Sequence, residues 1–326
     1  MRAISQRSLG GPEVLEIVEV DTPVPGPGQA LVKVHAAGVN PADWKIRSGL
    51  VRRFGEPPFT LGLDLSGVIE AVGEAAGDAA GEPVGDAAAG DAASPFVPGQ
   101  HVYASARQMP GAYAEYTAVP VTTLAAKPPS LDDVHAAALP TAALTAWQAL
   151  RAGGLRAGQR VLIHAASGGV GHLAVQIAKA HGAYVIGTAR ADKHSFLRDL
   201  GADELIDYTT TDFATAAKDV DLVLDPISGD YGPRSLDTLA PGGTLVDVRG
   251  TGPDRTAVRE QAATRGVRLV EFGYTPSGTD LDQITALVED GSLRVAVERV
   301  LPLRDAALAH HLSETNRVRG KIVLVP

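Results

Sequence analysis

The stretch Ile163–Leu173, which reads IHAASGGVGHL, contains three glycines within four positions and allows two interpretations. Ala166, Gly168 and Gly171 match the G-x-G-x-x-G spacing of a dinucleotide-binding turn, with alanine in first place. Ser167 also stands where G-x-S-x-G, the nucleophile elbow of serine hydrolases, places its serine. Both devices lie where a strand turns into a helix, so the surrounding chain must decide between them.

Strands and helices alternate on both sides of this stretch. RVLIHAA, AYVIGTA, DLVLDPI and GTLVDVR read as strands, and VGHLAVQIAKAHG and DKHSFLRDLGA read as helices. This alternation predicts βαβ units and a parallel sheet. Residues 131–153, LDDVHAAALPTAALTAWQALRAG, are predicted as one helix. Residues 1–125 instead contain short strands and turns, for example ALVKVHAAGV and LSGVIEAVGE, and a loop with a short helical turn, NPADWKIRSG.

The hydrolase interpretation requires the chain order serine, acid, histidine, which Ser167, Asp225 and His310 or His311 satisfy. Two observations weaken it. The stretch follows the first strand of the parallel region, so no strands precede it to form the sheet that usually presents an elbow. An elbow also needs no glycine at 171. Close packing of a helix on a strand does need one, and a helix beginning near Val170 would direct free N–H groups at a phosphate.

The end of the second parallel strand indicates which dinucleotide is bound. NAD-binding proteins place an acidic residue about 20 positions after the glycine turn. Here Ala189 stands in that place, followed by Arg190 and Lys193. Two cations without an acid suit a 2′-phosphate, which favours NADP(H). A solvated helix N-terminus is the alternative for these two charges.

Composition excludes several classes of function. The formal net charge is −9, so no basic surface is expected for nucleic acid or an anionic membrane. The chain has no cysteine, which excludes thiol catalysis and cysteine zinc sites. No run approaches 18 apolar residues, and a cytoplasmic protein is expected. The acidic, alanine-rich segment 74–99 is predicted to be a mobile surface loop rather than a calcium site.

The chain resembles, from end to end, the zinc-free quinone oxidoreductase (zeta-crystallin-like) branch of the medium-chain dehydrogenase/reductases. The resemblance rests on AAGVNPADWKIRSG, LGLDLSGVIEAVGE, GAYAEYTAVP, LPTAALTAWQAL, HAASGGVGHLAVQIAKAHGAYVIGTA, LGADELIDY, SLDTLAPGGTLVDV and RGKIVLVP. It implies an α/β fold, in which a doubly wound Rossmann sheet (126–276) is inserted in a β-rich, GroES-like barrel domain (1–125 and 277–326). It also implies a homodimer.

The resemblance further implies which residues form the site. Zinc-dependent members have metal ligands at the positions of Asn40 and Thr141 and beside Leu63 and Asp64, and only the acid is kept, so no metal is expected. The nine histidines look too scattered to replace them. The residues expected to bind cofactor are Asn40, Thr141, Ser167, Gly168, Gly169, Val170, Thr188, Arg190, Lys193, Tyr208 and Arg319.

The activity implied by the resemblance is NADPH-dependent reduction of a quinone or of an α,β-unsaturated carbonyl by hydride transfer. Negative charge would grow on the carbonyl oxygen, and donors at that oxygen lower the barrier. Asn40 and Lys45 are the candidate donors, although Lys45 could equally be an exposed loop charge. Two other classes remain open: a cofactor-binding protein with little turnover, and a hydrolase built on Ser167.

Overall fold

The computed structural model describes residues 1–52, 54–73, 95–107, 111–248 and 255–326. Most of the predicted mobile loop at 74–99 falls outside these described residues. The strands are β1 (Arg2–Gln6), β2 (Leu15–Glu19), β3 (Gln29–Val39), β4 (Phe59–Thr60), β5 (Asp64–Val72), β6 (His101–Ser105), β7 (Tyr116–Pro120), β8 (Leu124–Ala126), β9 (Arg160–Ile163), β10 (Tyr184–Ala189), β11 (Glu204–Asp207), β12 (Val220–Asp225), β13 (Leu239–Asp247), β14 (Arg268–Glu271), β15 (Val297–Pro302) and β16 (Lys321–Val325). The helices are α1 (Pro41–Arg47), α2 (Asp133–Ala137), α3 (Pro140–Gly153), α4 (Gly169–Ala180), α5 (His194–Asp199), α6 (Phe213–Ala216), α7 (Tyr231–Leu236), α8 (Thr256–Arg265), α9 (Gly278–Glu289) and α10 (Ala306–Glu314).

Six strands form a parallel sheet in the order β11-β10-β9-β12-β13-β14. Counted from β9, this is the Rossmann order 3-2-1-4-5-6, which reverses direction beside its first strand. Ligands of such sheets bind outside the carboxyl ends of the strands, at this switch point. The glycine-rich stretch 163–173 begins at the carboxyl end of β9 and therefore lies at the switch point.

A seven-stranded sheet unites the two ends of the chain. Its order is β15-β16-β3-β5-β6-β8, and β7 also pairs with β3. β16 runs antiparallel to β3, with Ile322 opposite Val39. The last strands of the chain thus complete the sheet of its first third, as expected for a Rossmann sheet inserted in a GroES-like domain. The fold class is confirmed, and the exact boundaries after 125 and 276 stay a prediction.

The single helix predicted for 131–153 is wrong, because the chain forms two helices there, α2 and α3. Pro140 is the first residue of α3. Proline has no N–H to donate to the carbonyl four residues earlier, and its ring clashes with that carbonyl. The break makes the backbone N–H of Thr141 one of the first in a new helix, without an intrahelical partner.

No helix in the described part of the chain combines the length and apolar character that a membrane span requires.

Candidate active site

The glycine-rich turn has the geometry of an anion-binding cradle. α4 starts at Gly169, and no described side chain caps its N-terminus, so the first N–H groups of the helix face outward. A Cβ on Gly171 would lie 2.3 Å from the carbonyl oxygen of Ala165 and 2.7 Å from the Cα of Ala166. Glycine at 171 is therefore required for the helix to pack on the end of β9, as the dinucleotide interpretation predicted.

The hydrolase interpretation is wrong. The residue with a positive φ in this turn is Ala165 (φ 47), not Ser167, whereas an elbow strains the nucleophile itself. His310 is buried far along the chain, where its Nδ1 lies 3.2 Å from Nη1 of Arg47 and its Nε2 3.3 Å from the hydroxyl of Tyr113. Burial lowers the pKa of His310 to about 3. Among the residues that the structure describes, no Ser–Asp–His triad is assembled around Ser167.

Three predicted cofactor contacts are exposed or partly exposed around β10 and α5. Arg190 directly follows β10 and is exposed, and Lys193 Nζ lies 3.6 Å from the carboxylate of its neighbour Asp192. The guanidinium of Arg319 lies 5.2 Å from the ring of Phe196 on α5. Arg319, although remote in sequence, therefore lies against the helix that follows Arg190 and Lys193.

The predicted contacts Tyr208 and Thr188 differ in how accessible they are. Tyr208 follows β11 and is 43% exposed. The side chain of Thr188 is buried, with its Oγ1 3.2 Å from Nδ1 of His164, and its carbonyl accepts the N–H of Ala166. Nε2 of His164 in turn lies 2.9 Å from Oγ of Ser235. Thr188 thus supports the glycine turn through its backbone carbonyl, and its hydroxyl does not reach the surface.

A buried polar network joins strands β5 and β16 to helix α3. Asp64 on β5 is its centre: Oδ1 accepts the Oγ1–H and the N–H of Thr141 at 2.6 and 2.9 Å, and Oδ2 accepts the amide of Asn40 at 2.8 Å. Nζ of Lys321 lies 3.6 Å from the same Oδ2 and donates to Oδ1 of Asn40 at 2.5 Å. Both ends of the Asn40 amide are therefore engaged within the network rather than directed at a substrate.

Two hydroxyls extend this network towards the end of β14. The hydroxyl of Tyr274 lies 2.8 Å from Oγ1 of Thr141 and 2.9 Å from Oγ of Ser105. The guanidinium of Arg107 stacks 4.4 Å from the ring centre of Tyr274. Burial raises the pKa of Tyr274, so its hydroxyl is protonated at neutral pH.

A second buried acid, Asp43, lies in the first turn of helix α1, beside the network. Its Oδ2 accepts the N–H of Asn40 at 2.8 Å, closing a capping box, and the hydroxyl of Tyr113 at 3.0 Å. Burial, assisted by the charge of Asp64, raises the pKa of Asp43 to about 7. Asp43 thus ties the start of α1 to the hydroxyl of Tyr113.

Lys45, the other predicted catalytic residue, lies on α1 and is half-buried. Its Nζ is 5.6 Å from the ring centre of Trp44, within the range of a cation–π contact. Asn40, a member of the network, directly precedes this short helix, so Lys45 is close to the network along the chain.

The network does not fit a catalytic zinc ion. At the positions where zinc-dependent relatives bind metal, it offers an amide, a hydroxyl and one carboxylate, and Lys321 adds an ammonium that has no lone pair to donate. One group of metal-ligating side chains does come together among the described residues: His35, His101 and Asp133. The histidines are therefore less scattered than the sequence indicated, although this group lies outside the network.

Comparison with known proteins agrees with this architecture. Residues 26–129 match the alcohol dehydrogenase GroES-like domain, and residues 200–324 match a zinc-binding dehydrogenase domain. Quinone oxidoreductase of Sus scrofa is 32% identical, with 100% of this chain and 98% of that protein covered. The chain belongs to the quinone oxidoreductase branch of the medium-chain dehydrogenase/reductases. It is an oxidoreductase.

Solved structures of this branch superimpose over the whole chain. The quinone oxidoreductase from Coxiella burnetii has a TM-score of 0.89 and 36% identity, and covers 100% of this chain and 99% of its own. The Escherichia coli quinone oxidoreductase complexed with NADPH has a TM-score of 0.86 and 28% identity, with 100% of both chains covered. The resemblance expected from the sequence is confirmed.

Sequence reasoning missed several members of the network, above all Lys321, Asp64 as a hydrogen-bonding centre, Tyr274 and Ser105. Two of them carried a signal. Asp64 interrupts the apolar run LGLDLSG, and Lys321 opens the apolar strand KIVLV. Charged residues within predicted buried strands are almost always paired, and these two pair with each other. Ser105 and Tyr274 carried no comparable signal.

Proposed function

We propose that the protein transfers a hydride from NADPH to a quinone or to the C=C bond of an α,β-unsaturated carbonyl, without a metal. The observation that carries this proposal is the contact between the cofactor turn and the buried network. The N–H of Gly320 donates to the carbonyl of Ser167 at 2.9 Å, and a Cβ on Gly169 would lie 3.2 Å from Cδ of Lys321. A dinucleotide on the turn would therefore have its reactive end near a polar, water-poor network.

The residues around the turn suit NADP(H). The uncapped start of α4 at Gly168, Gly169 and Val170 would hold the pyrophosphate, with Ser167 beside it, and Arg190 and Lys193 would hold the 2′-phosphate. Tyr208 would lie against the adenine. Arg319 would add a further cation near the phosphates. The NADPH complex of the Escherichia coli relative supports this assignment.

The bound reduced nicotinamide would supply the hydride, and side chains of the protein would stabilise the negative charge that hydride transfer creates. Negative charge develops on the acceptor oxygen, and donors already fixed at that oxygen lower the barrier more than ground-state binding does. Lys45 on α1 is the candidate donor, since the hydroxyl of Thr141 donates its proton to Asp64. Asn40 would act by holding Lys321 and Asp64 in place.

An NADPH-oxidation screen tests the proposed function. The purified protein is mixed with NADPH or NADH and with quinones, enones and enoyl thioesters, and absorbance is followed at the nicotinamide band. We expect turnover with NADPH and at least one of these acceptor classes. Tight NADPH binding without turnover on any of them would instead favour the cofactor-binding alternative.

Three further features are proposed with this function. The division into a GroES-like domain (1–125 and 277–326) and a Rossmann domain (126–276) can be tested by limited proteolysis. A homodimer is proposed and can be measured by light scattering. A cytoplasmic location is proposed and can be tested by cell fractionation.

A further inference from the structure

Two histidines and an aspartate meet on the face of the seven-stranded sheet that α2 covers. His35 lies on β3, His101 is the first residue of β6, and Asp133 is the first residue of α2. One ligand atom from each of the three side chains lies within 4.8 Å of the other two. Within the described residues, no other group of three metal-ligating side chains converges in this way. Strand pairing and the docking of α2 therefore assemble a set of ligands from three separate parts of the chain.

A β-bulge in β3 sets the position of His35. Val34 lies opposite Gly67 of β5, and Ala36 lies opposite Ser66, so His35 is an extra residue between two regular pairs. A bulge disrupts the ladder at this point and re-aims the side chain of the extra residue. Here the side chain reaches α2, and its Nδ1 lies 2.9 Å from a carboxylate oxygen of the first residue of that helix.

Both oxygens of the Asp133 carboxylate are held by neighbouring side chains. Oδ2 is the atom 2.9 Å from Nδ1 of His35, and Oδ1 lies 2.8 Å from the hydroxyl of Ser66, which is fully buried on β5. That hydroxyl is also 3.2 Å from the carbonyl of Val102, so its single proton goes to the nearer acceptor, Asp133. A hydrogen bond to one carboxylate oxygen orients the other towards a metal ion.

The distances and the exposure of the three side chains suit a small divalent ion. Zinc binds imidazole nitrogen and carboxylate oxygen at about 2.0–2.2 Å, which places the ligand atoms of a tetrahedral site about 3.3–3.6 Å apart. His101 is exposed and can rotate to close the remaining gap. Its ring lies 6.1 Å from that of His35 at 68°, so the two rings are not stacked. The side chains of His35 and Asp133 are 33% and 24% exposed, which lets water fill a fourth position.

We propose that His35, His101 and Asp133 bind one divalent transition-metal ion, with zinc as the best match, outside the buried polar network. Two nitrogen ligands and one oxygen ligand favour zinc, cobalt, nickel or copper over Mg²⁺ and Ca²⁺, which prefer oxygen alone. The ion joins β3 and β6 to α2. Because α2 leads into α3, whose Thr141 contacts Asp64, the ion also holds the approach to the network in place. This proposal does not depend on the proposed function.

A metal titration tests the site directly. Protein without a polyhistidine tag is stripped of metal with a chelator, dialysed, and titrated with zinc chloride at neutral pH in a calorimeter. We expect one Zn²⁺ to bind per chain and Mg²⁺ not to compete with it. Saturating Zn²⁺ should raise the melting temperature by a few degrees, because an ion that binds only the folded chain stabilises it. Co²⁺ in the site should give the visible absorption of a tetrahedral complex.

Substitutions at the site separate its ligands from their support. Ser66→Ala removes the hydrogen bond that orients Asp133 and should weaken Zn²⁺ binding by about 10–100-fold. His35→Gln and His101→Gln each remove an imidazole ligand and should weaken it further. His135→Gln is the matched control, because His135 also lies on α2 and its Nδ1 is 2.7 Å from a carboxylate oxygen, that of Asp132. This variant should bind Zn²⁺ as the wild type does.

Several results would overturn the site. Absence of Zn²⁺ binding, or equal binding of Mg²⁺, would exclude it. Unchanged Zn²⁺ affinity in His35→Gln and His101→Gln would show that the ion binds elsewhere, and an equal loss in His135→Gln would show that any surface histidine contributes. NADPH oxidation is measured in separate assays, so a wild type without turnover would overturn the proposed function and leave the zinc titration unaffected.

Discussion

The ammonium of Lys321, the first residue of the last strand, lies 3.6 Å from the carboxylate of Asp64 on β5. β3 separates the two strands in the sheet, so the pair joins the final segment of the chain to its first third. Lys321 also donates to the carbonyl of Val39 at 3.0 Å. The polar centre of the site therefore cannot form until the C-terminal strand has docked.

Breaking this pair should cost stability. Lys321→Met keeps the aliphatic stem but leaves Asp64 buried without its cation, and removal of one partner of a buried pair costs about 3–5 kcal/mol. Urea unfolding at pH 8 measures the loss. Lys321→Met combined with Asp64→Asn removes both charges and should be less destabilised than Lys321→Met alone. Equal losses in both variants would show that the pair is not coupled.

Asp43→Asn should change how stability depends on pH. Burial raises the folded-state pKa of Asp43 from 3.8 to about 7, so its contribution to stability is complete below about pH 4 and is lost as the pH rises through 7. A neutral asparagine has no such loss. The free energy of unfolding of Asp43→Asn relative to wild type should therefore increase between pH 4 and 8, by an amount of order 4 kcal/mol. A difference independent of pH would contradict the raised pKa.

Gly171→Ala should destabilise the protein and weaken cofactor binding, because its Cβ would meet the backbone of Ala165 and Ala166. Such overpacking costs about 1–3 kcal/mol when the neighbours can shift, and backbone shifts less readily than a side chain. Gly26→Ala is the control, since its Cβ would meet only the side chain of Gln29, at 3.4 Å. Thermal melts and NADPH titrations compare the two. Similar behaviour of both variants would contradict the close packing of α4.

The double variant Arg190→Ala, Lys193→Ala should lose its preference for NADPH over NADH. A hydrogen bond to a charged group contributes about 1.5–3 kcal/mol, and NADH has no phosphate to accept one. Fluorescence titration of both cofactors should show weaker NADPH binding and nearly unchanged NADH binding. A wild type with equal affinity for the two cofactors would exclude a phosphate-specific role for this pair.

Lys45→Met should slow the chemical step more than it weakens cofactor binding. The side chain keeps its length and loses its charge, and the loss of one donor to a developing oxyanion lowers turnover by about 10²–10³-fold. Single-turnover hydride transfer is measured in parallel with NADPH affinity. A transfer rate within a few-fold of wild type would leave Lys45 as a surface charge beside Trp44.

Much of the fold could be predicted because its determinants are local. The alternation of strands and helices after residue 126 predicted the parallel sheet, and the spacing of Gly168 and Gly171 predicted the strand–turn–helix that the structure contains. Both depend on backbone sterics within a few residues, which a sequence displays directly. The break before α3 was missed, although Pro140 was its visible cause.

The polar site depended on the tertiary structure. Asn40 and Thr141 were expected at the site, but Lys321, Ser105 and Tyr274 come from distant strands and loops, and only sheet pairing brings them together. Their hydrogen bonds depend on distances between atoms that no sequence spacing encodes. The sequence by itself determined the glycine turn and the cations after β10. The tertiary structure decided that a buried lysine and a hydroxyl chain lie beside that turn, because long-range packing removes these groups from water and leaves them only each other as partners.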